Sequence, residues 1–124
     1  MNSRPYLFRA LTAGCMLLIF VLSSQPSLPT IRFFSGADLL AHAAAYGILC
    51  VFLALSFVPP RVATWNRVLL LTVLVTAYGV TDEYHQSFVP GRDASLLDVL
   101  ADGAGGFIVA WTMHWRYRRA AKKA

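Results

Sequence analysis

The side chains able to do chemistry fall at one-turn spacing in a few short stretches of this chain. Asp38 and His42 lie four residues apart, as do Asp98 and Asp102, and as do Asp82 and Gln86. In a helix that spacing puts each pair on one face. Glu83 sits beside Asp82, and Arg92 follows in a Pro-Gly turn. A histidine among carboxylates suits a divalent cation or general acid–base work. On residue type and position the candidate metal ligands are Asp38, His42, Asp82 and Glu83. Arg92 is suited to holding phosphate through paired N–H groups. The candidate ligand-binding cluster is therefore Asp38, His42, Asp82, Glu83, Gln86, Arg92, Asp98 and Asp102. Neither H-E-x-x-H nor G-x-S-x-G occurs, so no residue is assigned as catalytic. Cys15 and Cys50 lie in apolar stretches with no CxxC spacing, and read as reduced, buried thiols.

The elements that must position this cluster are membrane helices. Of the 124 residues, 57% are hydrophobic and only 14% charged. A soluble domain carries about 45–50% apolar and about 25% charged residues. A chain this short has too little interior to hide such an excess. Four windows approach the roughly 20 apolar residues that cross a bilayer: about 6–23, 37–58, 64–82 and 96–115. Turn residues separate them, at Pro26 and Pro29, at Pro59-Pro60, and at Pro90-Gly91. The expected architecture is all-α: one domain over 1–124, an integral membrane bundle of four transmembrane helices. No A-x-A site follows Ser23-Ser24, so the first window reads as a span and not as a cleaved leader.

Charge sets the expected orientation. With both termini cytoplasmic, nine of the eleven basic residues fall on the inner side, and only Arg32 and Arg92 on the outer. All six acidic residues fall at or near the outer ends of the second, third and fourth helices. Trp65, Trp111 and Trp115 lie near the inner interface, where aromatic residues anchor. The basic C-terminal tail reads as a topology anchor touching anionic lipid, and no nucleic-acid role is expected despite the net charge of +5.

Two segments echo each other sixty residues apart. Residues 32–42 and 92–102 share R-x-x-S-x-x-D-x-L-A-[HD]. Ser followed three residues later by Asp is a capping-box-like helix start, with the acid in the positive first turn. Capping accounts for Asp38 and Asp98 but not for His42 and Asp102, which lie about 6 Å deeper. Ionisable groups at that depth must face one another or a wet hollow. Five carboxylates together need partners, drawn from Arg32, Arg92, His42 and His85 or from a bound cation. Two readings stay open: a shallow outward-facing binding site, or mutual pairing that only holds the bundle together. Ala41, Ala45, Ala101, Gly105 and Gly106 permit close helix packing. The inner halves carry no matching polar groups, so no ion path across the whole depth is expected.

These residues resemble the VanZ-like family of bacterial membrane proteins. The likeness rests on Asp38 with His42, on Asp82-Glu83-Tyr84-His85-Gln86, on Phe88-Val89-Pro90-Gly91-Arg92, on Asp98, and on Ala101-Asp102 with Gly105. It covers about residues 20–110, and the stretch from 82 to 98 is its most specific part. Members often have Lys after the first Asp, where this chain has Leu39, and Asn where it has Asp102. The resemblance implies a multi-pass protein of the bacterial cell membrane, linked to teicoplanin-type glycopeptide antibiotic resistance. The function expected is binding of a cell-envelope lipid or precursor headgroup at an outward-facing polar site. The alternative is a metal-dependent hydrolase or transferase acting on a lipid-linked or phosphorylated substrate. A divalent cation is the candidate cofactor, the bilayer and an anionic lipid are the candidate partners, and the oligomeric state is not set by the sequence.

Overall fold

A computed structural model describes residues 4–26, 36–57 and 64–123. Arg32, Ser35, Arg61 and the Pro59-Pro60 link lie outside the described residues. Four helices follow in order: α1 (Arg4–Ser23), α2 (Ala37–Phe57), α3 (Trp65–Gln86) and α4 (Leu96–Ala121). No strand occurs among the described residues. Three helices, α1, α2 and α4, are long and apolar enough to cross a membrane. The helix α3 continues through Gln86 and α4 through Ala121, past the apolar windows. A backbone helix does not stop where hydrophobicity stops, and Arg, Lys and Ala are strong helix formers. Ser95 caps α4, its Oγ accepting from the Asp98 backbone N–H at 3.4 Å.

The helices run alternately up and down. At one end the start of α2 lies beside the start of α4, and the ends of α1 and α3 meet there, with Ser23 bonded to Asp82. At the other end Thr12 of α1 meets Ser56 of α2 at 2.8 Å, and Arg67 of α3 donates to the Ala54 carbonyl of α2 at 3.0 Å. Trp65 and His114 stack loosely there, their ring centroids 5.0 Å apart. The described basic residues other than Arg92, from Arg4 to Lys123, belong to this second end, and five of the six acids to helix ends at the first. The charge partition read from the sequence is thus a property of the folded bundle.

Packing is tightest between α2 and α4. A Cβ at Gly105 would run into the backbone carbonyl of Ala43. Gly47 faces Gly105 and Val109 across the same seam. Cys50, wholly buried, donates its thiol to the Gly106 carbonyl at 3.3 Å. The interior is completed by Tyr46, Leu49, Ala54, Val68, Leu71, Val75 and Ala110. Leu17, Leu18, Leu40, Ile48, Leu97 and Ile108 point outward. That is the pattern of a bundle whose outer surface is solvated by lipid.

Candidate functional site

The polar end divides into two networks. The first ties α1 to α3. Ser23 donates its hydroxyl to Asp82 Oδ1 at 2.6 Å, and Gln86 donates Nε2 to Asp82 Oδ2 and to Glu83 Oε1, both at 3.1 Å. Glu83 Oε2 accepts the Ser95 backbone N–H at 2.7 Å, which fixes the start of α4 against the end of α3. Asp82, Glu83 and Gln86 are buried, and each acid has its partners inside this network. Arg92 reaches the network because the chain turns at 89–92. The Arg92 N–H bonds the Val89 carbonyl at 3.1 Å, with Pro90 second and Gly91 third at a φ of +81°. This is a turn that asks for Pro followed by a residue tolerant of positive φ. Arg92 then donates to Gln86 Oε1 at 3.4 Å and to the Gln25 and Leu22 carbonyls, each at 3.2 Å. The last two are carbonyls at the end of α1, where a cation is favoured.

The second network joins α2 to α4. His42 Nδ1 and Asp102 Oδ1 lie 3.0 Å apart. Asp102 is wholly buried, and its Oδ2 has no hydrogen-bond partner among the described residues. It packs against Gly79 of α3, where an added Cβ would sit 2.5 Å from that oxygen. With Nδ1 so engaged, His42 has Nε2 left for a ligand or a proton. Asp38, exposed, and Asp98, half-buried, lie beside His42: one donor atom from each of the three lies within 4.8 Å of the other two. Between the networks stands Tyr46, buried, its hydroxyl likewise without a hydrogen-bond partner among the described residues. Its ring lies parallel to that of His42, with centroids 6.4 Å apart.

The eight candidate residues all reach the same end of the bundle, but not one common point. Asp82, Glu83, Gln86 and Arg92 share the first network. Asp38, His42, Asp98 and Asp102 share the second. Of the four candidate metal ligands, Asp38 and His42 gather with Asp98, while Asp82 and Glu83 are occupied by Ser23, Gln86 and Ser95. Arg92 folds back onto Gln86 and the end of α1. Sequence reasoning missed Ser23 and Ser24 as partners: Ser24 Oγ lies 3.0 Å from His85 Nε2. Two hydroxyls closing an apolar helix, with acids and a histidine elsewhere, were the signal available.

The chain from position 8 to position 117 matches the family model described as VanZ/LLP1. Comparison with curated proteins and with solved structures gives no match. The match spans most of the bundle, both networks and the Pro-Gly turn included, and on that extent this chain belongs to the VanZ/LLP1 family.

Proposed function

We propose that this protein is a four-span membrane protein that binds the phosphorylated headgroup of a lipid, or of a lipid-linked envelope precursor, at its outward-facing polar end. The observation that carries the reading is the separation of chemistry along the bundle axis. Carboxylates, His42 and Arg92 occupy one end, and the other described basic residues the opposite end. Basic residues favour the cytoplasmic side, so the polar end belongs outside, with both termini in the cytoplasm. The helix α3 is read as the fourth span. Its 22 residues reach about 33 Å. Its outer face presents Leu69, Leu70, Val73, Leu74 and Val80, a lipid-facing surface along most of its length. An accessible cysteine tests the topology. In a variant with Cys15 and Cys50 replaced by alanine, Asp93→Cys should react with an impermeant maleimide on intact cells and Lys123→Cys should not. The opposite pattern would invert the orientation.

Arg92 supports the headgroup reading. Its three bonds use one N–H on each nitrogen, and each terminal nitrogen carries a second, directed by the planar guanidinium. Thermal unfolding in neutral detergent tests it. Phosphatidic acid should stabilise the protein more than phosphatidylcholine, by about 2.7 kcal/mol at roughly a hundredfold excess over Kd. Arg92→Gln should remove the difference between the two lipids. Equal stabilisation by both lipids would reject the proposal. Measuring the difference within one variant cancels whatever Arg92 contributes to holding α1. A role in glycopeptide antibiotic resistance rests on the family resemblance, and its test is a change in drug susceptibility on deletion. A second reading, hydrolysis or transfer on the same phosphorylated lipid, is favoured by His42, whose Nδ1 is tied to a buried carboxylate and whose ring lies beside Asp38 and Asp98. Release of phosphate or of headgroup from a bound lipid would support it.

A further inference from the structure

We infer that Asp38, His42 Nε2 and Asp98 form a divalent-cation site, with Asp102 as the buried group that holds His42 in place. One donor atom from each of the three residues lies within 4.8 Å of the other two. With Nδ1 held by Asp102, the imidazole nitrogen left to ligate is Nε2. Around a metal with bonds of about 2.0–2.2 Å, neighbouring donors stand about 3–3.5 Å apart. Asp38 is exposed, so its side chain has the freedom to close that gap. One imidazole nitrogen with two carboxylates is a borderline donor set. It suits Zn²⁺, Mn²⁺ or Co²⁺ better than Mg²⁺ or Ca²⁺, which prefer oxygen alone.

Asp102 supplies the independent reason. A histidine that ligates through one nitrogen commonly donates its other N–H to a carboxylate, which fixes the tautomer and the ring. Here Asp102 Oδ1 lies 3.0 Å from His42 Nδ1. Asp102 is wholly buried in a bundle within a bilayer, and its other oxygen has no hydrogen-bond partner among the described residues. A buried carboxylate with a single hydrogen-bond partner is poorly compensated. A cation on Nε2 polarises the imidazole, strengthens the Nδ1–H···Oδ1 bond, and places positive charge one ring away from Asp102. Mere helix capping by Asp38 and Asp98 would give no reason for a buried acid behind the histidine.

The cation also alters what the site attracts. Asp38, Asp98 and Asp102 together repel a phosphate, and a divalent ion among them offsets two charges while offering open coordination positions to a phosphate oxygen. This last step rests on the headgroup reading, whereas the metal site does not.

The test is a Co²⁺ titration of the full chain, purified without a histidine tag, stripped of metal and held in neutral detergent. The expected result is about one Co²⁺ per chain, seen as visible ligand-field absorption and displaced by Zn²⁺. Asp98→Asn and Asp38→Asn should each weaken binding at least about tenfold. Asp102→Asn, which touches no metal, should weaken it about 10–100-fold. Asp93→Asn, an exposed loop acid outside the group, should leave it unchanged. Helical circular dichroism on each variant confirms that it is folded, and Asp98→Asn retains the volume of the side chain it replaces. Failure of the wild-type chain to take up cobalt overturns the inference, as does equal binding by Asp98→Asn and Asp93→Asn. Phosphatidic acid binding that persists in chelator, in a chain that takes no cobalt, removes the metal site and leaves the headgroup reading intact. Cobalt binding without any preference for phosphatidic acid does the reverse.

Discussion

Replacing His42 by alanine should destabilise the bundle by about 3–5 kcal/mol, the range seen when one partner of a buried charged pair is removed. The reason is what the change leaves behind. Asp102 Oδ1 has His42 as its partner at 3.0 Å, and Asp102 Oδ2 has none among the described residues. After His42→Ala a wholly buried carboxylate keeps no hydrogen bond to any described residue. The sign of the double variant separates this cause from lost packing. His42→Ala combined with Asp102→Asn should recover about 2 kcal/mol, because an unpaired amide costs less to bury than an unpaired carboxylate. Reversible unfolding in mixed micelles measures both. A His42→Ala protein within about 0.5 kcal/mol of wild type would show that the pair is incidental.

Gly105→Leu should be at least as damaging, at about 3 kcal/mol or more, through geometry instead of charge. A side chain at 105 would meet the carbonyl oxygen, carbonyl carbon and Cα of Ala43, all of them backbone of α2. A flexible side chain can rotate away from such a contact, but a helix backbone cannot. The two helices must part, and the parting acts on the site, because the pair His42 and Asp102 spans the same seam. Loss of cobalt binding should therefore accompany the loss of stability. Gly106 offers the contrast within the same helix: a Cβ there meets the Val75 side chain, which has some room to shift. Gly14 is the control, with nothing within 4 Å of a built Cβ, so Gly14→Ala should stay within about 0.5 kcal/mol of wild type. Equal stability of Gly105→Leu and Gly14→Ala would mean that α2 and α4 do not pack as described.

The helices were legible from composition because hydrophobic length is a local property, and no partner is needed to recognise an apolar run between turn residues. The membrane-crossing character of α1, α2 and α4 follows from their own residues. The helix α3 was harder to read, since acids and Gln86 crowd its end. That the acids and His42 belong to one end was also legible, because alternating spans convert sequence position into depth. One-turn spacing put His42 behind Asp38 and Asp102 behind Asp98, as the structure shows them.

Pairing was not legible, because it depends on how each helix is rotated about its axis. From residue type and position, Asp82 and Glu83 were the expected ligands beside Asp38 and His42, and Asp98 was not among them. The rotation of α3 turns them to Ser23, Gln86 and Ser95. The rotation of α4 brings Asp98 to Asp38 and His42. That rotation is set by Gly105 against Ala43, a contact made by the absence of a side chain, which no pattern of polar residues announces. Composition and charge order specify a helical bundle with an apolar outside, polar at one end and basic at the other, because burial and charge act residue by residue. Which acid faces which histidine is settled by close contact between helices far apart in the chain, and no local pattern carries that information.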